Sequence, residues 1–119
     1  MLHICMPRGD TKHLKINVRD SQEELIDFDL DEVYLTVKKN FTDTEPKFQK
    51  SLSGGTITKD SLGVYKTVIM PSDTDDMSYG RYVFDIEVIK GDRSAPDFKT
   101  TKVGEFIIDN ESTFARNEV

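Results

Sequence analysis

Apolar and polar residues alternate in several stretches of this 119-residue sequence. Every second side chain is apolar in 14–18, 33–37 and 82–88, whereas the spacing typical of a helix is nearly absent. Because successive side chains of a strand point to opposite faces, each stretch acquires one apolar face. That face has to be covered by a second layer, so the alternation predicts two sheets packed together.

Residues that favour turns separate these stretches, among them Gly, Pro, Asn, Asp and Ser. Short strands separated in this way are typical of an antiparallel β-sandwich, here of seven to eight strands. We expect one domain over residues 1–109 and a flexible tail over residues 110–119. Gly104 interrupts the last run and predicts a β-bulge. The predicted strands are Leu2–Met6, Leu14–Arg19, Val33–Lys38, Pro46–Leu52, Gly55–Lys59, Gly63–Met70, Arg81–Lys90 and Phe98–Ile108.

The segment "DDMSYGRYVF" narrows the fold class further. The spacing of Asp76, Gly80 and Tyr82 resembles the corner of immunoglobulin-like domains, where a tyrosine entering a strand bonds back to the preceding loop. Phe84 stands where an antibody domain has its second cysteine, and the chain contains no tryptophan. The sequence therefore predicts an all-β, immunoglobulin-like antiparallel sandwich that lacks the disulfide core of antibodies.

The charge of the chain disfavours two classes of partner. Lys and Arg number 16 against 22 Asp and Glu, which gives a net charge of −6, and the basic residues are scattered. Nucleic acids and anionic membranes bind to concentrated positive fields, so neither is an expected partner. The only cysteine is Cys5, so the fold cannot depend on an internal disulfide.

Few residues are arranged for catalysis or for holding a cofactor. His3 and His13 lack the spacing of a metal motif, and the sequence contains no Gly-x-Ser-x-Gly elbow. The acidic segments "DFDLDE" and "SDTDD" offer carboxylates, but neither follows a calcium-loop pattern. We expect a protein that is not an enzyme and has no cofactor, with calcium binding by the acidic loops left open.

The tripeptide Arg8-Gly9-Asp10 matches the motif that animal adhesion receptors recognise. It follows Pro7 and precedes an alternating stretch, where a glycine with free φ and an aspartate that bonds its own backbone suit a turn. A structural turn is therefore the preferred interpretation.

Several segments together resemble a family of small β-sandwich modules in tailed bacteriophages and prophages, which includes the amino-terminal domain of baseplate upper proteins. The resemblance lies in "PRGDTKHLKINVRD", "DLDEVYLTVKKNFTDTEPKFQKSL", "GTITKD", "GVYKTVIMPSDTDDMSYGRYVFDIEVIKGD" and "KVGEFIID". One of its motifs is a Pro-x-Asp-Thr segment followed by Gly-x-Tyr-x-x-Asp, here Pro71, Asp73, Thr74, Gly80, Tyr82 and Asp85, and the resemblance depends on the order and spacing of the segments.

The resemblance implies a structural role in a virion tail or baseplate, for a protein made in the cytoplasm of a bacterial host. The implied partners are other tail or baseplate subunits, and a homo-oligomer is a further expectation. The alternative is a sandwich that binds carbohydrate or a host receptor, although the absence of tryptophan weakens it. Because exposed aromatic side chains dominate interfaces, Phe41, Phe48 and Phe114 are the candidate contact residues.

Overall fold

The computed structural model describes residues 2–20, 22–26, 28–92 and 94–109. The expected tail, residues 110–119, lies outside them. The described residues form eight strands and one short helix. These are β1 (Leu2–Pro7), β2 (Lys12–Ile16), β3 (Glu32–Lys38), β4 (Phe48–Ser51), β5 (Ile57–Lys59), β6 (Tyr65–Ile69), α1 (Pro71–Thr74), β7 (Gly80–Asp92) and β8 (Ala95–Asp109).

The strands form two sheets, which confirms the prediction of an all-β chain. The larger sheet has the order β1-β8-β7-β3-β4, and the smaller has the order β2-β6-β5. Both sheets contribute to one core, in which Leu35, Phe84 and Phe106 of the larger sheet meet Ile57 and Ile69 of the smaller. The alternating stretches supply Leu35 and Phe84, because each strand turns its apolar face toward the other sheet.

One pairing contradicts the prediction of an entirely antiparallel fold. β1 runs parallel to β8, with Leu2 beside Gly104 and Pro7 beside Asp109. After β1 the chain turns and enters the other sheet as β2. β1 therefore has no hairpin partner that would impose an antiparallel direction, and it can join the edge of the sheet in parallel.

The predicted bulge at Gly104 is wrong. The ladder between β7 and β8 is regular there, and its register shifts instead between Lys90 and Gly91. Gly104 is required for a different reason, since a Cβ built on it would lie 2.4 Å from the carbonyl oxygen of Leu2 and 2.6 Å from the ring of Phe84. The absence of a side chain lets β1 and an aromatic ring approach the same point of β8.

The turn between β5 and β6 is held by a carboxylate. Asp60 accepts hydrogen bonds from the backbone amides of Leu62 and Val64, each at 2.9 Å, and its side chain lies 3.0 Å from the Lys66 ammonium. The bond from Val64 and the charge of Lys66 lower the pKa of Asp60 to about 2. The smaller sheet thus keeps its shortest strand in register through local bonds.

Candidate interaction surface

The Arg-Gly-Asp segment forms the turn between β1 and β2 and contacts the loop that precedes β7. The Arg8 guanidinium lies 4.5 Å from the centre of the Tyr79 ring and donates a hydrogen bond of 3.1 Å to its hydroxyl. The Gly9 amide, at a φ of 80°, donates to the Thr74 hydroxyl at 2.8 Å. These contacts attach the turn to the rest of the domain. Arg8 therefore has a structural partner within its own chain.

The corner predicted at Tyr82 has the expected hydrogen bond. The Tyr82 hydroxyl donates to the backbone carbonyl of Ser78 at 2.8 Å, while its ring is 2% exposed. Gly80 begins β7 with a φ of 131°, which favours glycine. The Asp76 carboxylate is exposed and has no hydrogen-bond or ion-pair partner among the described residues, so the corner is made without it.

The three candidate contact residues have different environments. Phe41 is 51% exposed in the loop between β3 and β4 and is available to a partner. Phe48 packs edge-to-face on Phe106 of the core, with ring centres 5.7 Å apart, so it contributes to the domain's own packing. Phe114 lies outside the described residues.

The two histidines and the described carboxylates of the acidic segments lie in separate environments. β1 carries His3 and β2 carries His13, so the two histidines belong to different sheets. Asp29 forms an ion pair with Lys59, and Asp31 accepts a hydrogen bond from the Gly91 amide at 2.6 Å. Within the described ranges no group of three or more His, Cys, Asp or Glu side chains could hold a metal ion.

One carboxylate in β7 is destabilised by its surroundings. Asp85 faces away from the core beside Thr36 and Val103 on the neighbouring strands. Burial raises the pKa of Asp85, Lys38 partly opposes this effect, and the charge of Glu87 adds to it. The ionised form of Asp85 is therefore less favourable in the folded chain than in the unfolded chain.

We expect Asp85→Asn to stabilise the fold at pH 7 and to lose this advantage in acid. A raised folded-state pKa means that the contribution of Asp85 is complete below its unfolded pKa and is lost as the pH rises through the folded value. The variant does not titrate, so its urea midpoint should exceed that of the wild type at pH 7, and the difference should shrink toward pH 3. A difference that is equal at both pH values would contradict the assignment.

A cleft opens between the two sheets on the side where β2 and β8 lie. Its walls include Ile16 at the end of β2, Val18 just beyond that strand, and Ile86, Val88 and Phe98 from the hairpin of β7 and β8. Its volume is about 870 Å³, which suits an extended peptide segment better than a single ion. Leu2 and Val103 stand at its rim, 48% and 46% exposed.

Two strand edges border this cleft without a partner in the described structure. β2 pairs with β6 alone. β8 pairs with β1 only from Gly104 onward, so the edge over Ala95–Val103 faces outward, and none of its nine residues is buried. We call this segment the open edge. A row of free backbone donors and acceptors at such an edge is a template for another strand.

The cleft is positively charged although the chain is acidic. Its lining contains Lys15, Arg19, Lys99 and Lys102 against Asp20 and Glu23. Lys99 approaches Glu87 at 3.9 Å, whereas the ammonium groups of Lys15 and Lys102 have no ion-pair partner among the described residues. The excess of positive charge therefore lies next to the two strand edges that have no partner in the described structure.

Sequence reasoning did not find the open edge. The alternation over Phe98–Ile108 predicted a strand, but the missing partner depends on where β1 pairs, which is a contact between the two ends of the domain. The two lysines of the open edge were the available signal, because lysine is common on unpaired edge strands.

No protein-family model, curated protein or solved structure matches this chain. No helix in the described part of the chain is long and apolar enough to cross a membrane. Function therefore has to be inferred from the geometry of the cleft and from the resemblance in sequence.

Proposed function

We propose that this chain is a structural component of a bacteriophage or prophage tail or baseplate, and that it acts through protein–protein contacts without catalysing a reaction. The sequence resemblance described above supplies the setting. The open edge beside the cleft carries the proposal, because it offers a protein partner both backbone hydrogen bonds and an apolar surface.

We also infer an immunoglobulin-like topology, which supports the idea of a sandwich module. The order β8-β7-β3-β4 corresponds to strands G, F, C and C′ of a variable-type immunoglobulin domain, and β2-β6-β5 corresponds to B, E and D. Tyr82 then lies near the start of strand F, where such domains have their corner tyrosine. In constant-type domains strand A lies beside strand B, whereas here β1 joins β8 and leaves that side of β2 open.

The position of the protein in phage particles tests the proposed function. Particles induced from the host strain would be purified and labelled with gold-conjugated antibodies against this chain, and particles disrupted at the tail would serve as a control for a masked epitope. We expect label at the tail tip or baseplate in electron micrographs. Purified particles that contain none of the chain, by labelling and by mass spectrometry, would contradict the proposal.

A binding assay separates the structural role from the alternative of a carbohydrate- or receptor-binding module. The purified chain would be applied to a glycan array and to intact host cells. A structural module should bind neither, since it would meet only its neighbouring subunits. Saturable binding to one glycan class would instead identify a receptor-binding module.

A further inference from the structure

We propose that the open edge receives an extended, acidic segment of a partner subunit, which adds to β8 as a new strand and covers the cleft. This inference rests on the proposed function as a protein-contact module and names the contact surface and the chemistry of the partner.

The backbone of the open edge is ready to pair. The long hairpin of β7 and β8 holds Ala95–Val103 in extended conformation, because these residues pair with β7 on their other side. Pro96 cannot donate a hydrogen bond, so the useful part begins after it and extends to the point where β1 takes over at Gly104. This length suits an added strand of about seven residues, or roughly 23 Å.

The inner face of the open edge continues into the apolar cleft. Phe98, Thr100 and Lys102 lie on the same side of β8 as the buried Gly104 and Phe106. They stand beside Lys90, Val88 and Ile86 of β7. A strand added at this edge would therefore turn every second side chain toward Ile86, Val88 and the wall formed by Ile16 and Val18. Those inward side chains should be apolar, except for the one opposite Lys102, which should be acidic.

The charge of the cleft selects an acidic partner. Lys102 points from the open edge into the cleft region and Lys99 lies on the opposite face of the same strand, so an incoming strand meets lysine on both faces. Glutamate or aspartate directly opposite lysine stabilises a strand pair, whereas like charges destabilise it. Complementary charge also increases the rate of encounter.

The same lysines disfavour a second copy of this chain as the occupant. In an antiparallel pair of two open edges the residues that present their backbone groups to the partner have the same parity in both copies, so a ladder centred on Lys99 or on Lys102 places that lysine opposite its own copy. The other registers avoid that direct contact but still collect four lysines along one pair of strands. The occupant we infer is thus a segment of another protein in which apolar and acidic residues alternate.

Two designed peptides test the proposal directly. One alternates valine with glutamate over about seven residues and has a further glutamate at the inward position opposite Lys102, and the other has lysine in place of every glutamate. Both are blocked at their ends, labelled with a fluorophore and titrated with the full chain while anisotropy is recorded. We expect the acidic peptide to bind at least about tenfold more tightly than the basic one, with the preference decreasing as salt is added.

Amide NMR spectra of the isotope-labelled chain locate the peptide. Bound acidic peptide should shift the amide signals of Ala95–Val103 and of residues 15–20, and it should slow hydrogen exchange along the open edge. Equal binding of the two peptides, no binding of either, or shifts confined to another surface would overturn the proposal. If light scattering shows a dimer without peptide, and hydrogen exchange shows that the edge amides are already protected in it, the occupant is a second copy and the proposal is overturned.

A matched pair of charge reversals provides the control. Lys102→Glu changes the open edge, and Lys47→Glu changes an exposed lysine in the loop between β3 and β4. Both variants alter the net charge equally, and both side chains are exposed, so both variants should have the melting temperature of the wild type. Lys102→Glu should lower the affinity for the acidic peptide roughly fivefold and raise the affinity for the basic one. Lys47→Glu should change either affinity less than about twofold.

Failure of the proposed strand addition can be distinguished from failure of the proposed function. If antibodies detect the chain at phage tails but the chain binds neither peptide, its contact surface lies elsewhere. A chain that binds the acidic peptide at the open edge but is missing from particles is a strand-accepting module with another setting.

Discussion

Gly104→Ala should destabilise the fold by about 3 kcal/mol, a large fraction of the stability of a domain of this size. The added Cβ would lie 2.4 Å from the carbonyl oxygen of Leu2 and 2.6 Å from two carbons of the Phe84 ring. Neither obstacle can yield cheaply, since one is the backbone of β1 and the other is a ring that is 2% exposed. The melting temperature should fall on the order of 10 °C.

Gly54→Ala is the matched control for this effect. A Cβ at Gly54 would meet the Ser51 hydroxyl, which is the end of a short side chain at an exposed turn and can rotate away. We expect it to cost less than about 1 kcal/mol in urea unfolding. If the two alanine variants unfold at the same urea concentration, the close approach at Gly104 does not matter for stability.

Hydrogen exchange tells which contact of Gly104 is more important. If the clash with Leu2 dominates, Gly104→Ala should accelerate exchange of the amides in β1 while those in β3 and β7 remain protected. If the clash with Phe84 dominates, protection should fall throughout the core. The double variant Gly104→Ala with Phe84→Leu would restore stability only in the second case.

The strands could be predicted from sequence because their signal is local. The alternation over Arg81–Lys90 lies within β7, and the apolar residues on its predicted inner face include the buried Tyr82, Phe84 and Val88. The number of strands and the all-β class follow from the same pattern with its intervening turns. The period of two needs no knowledge of which strand lies next to which.

Pairing and close approach could not be predicted, because they depend on residues distant in sequence. The parallel pair of β1 and β8 joins the two ends of the domain, and Gly104 looked like a bulge because its neighbour Leu2 is about a hundred positions away. The open edge arises from a difference in length, since β1 has 6 residues and β8 has 15. A strand pattern gives no hint of an edge until its neighbours are known.

Truncation of the corner tyrosine should have the other large effect. Tyr82→Ala removes an aromatic ring that is 2% exposed in the core and also removes a hydrogen bond of 2.8 Å to the Ser78 carbonyl. We expect a loss of about 4 kcal/mol from the cavity and the lost apolar contacts. Tyr82→Phe keeps the ring and should cost about 1 kcal/mol for the hydrogen bond alone.

The neighbouring Tyr79 serves as the control for Tyr82. Tyr79 is 44% exposed, and its contact with Arg8 lies at the surface, so Tyr79→Ala should cost less than about 1 kcal/mol. Thermal unfolding followed by circular dichroism would rank the variants, with Tyr82→Ala lowest by on the order of 10 °C. Because the corner fixes where β7 enters the sheet, a Tyr82→Ala chain that melts with the wild type would exclude Tyr82 as the corner and remove one support for the immunoglobulin-like topology.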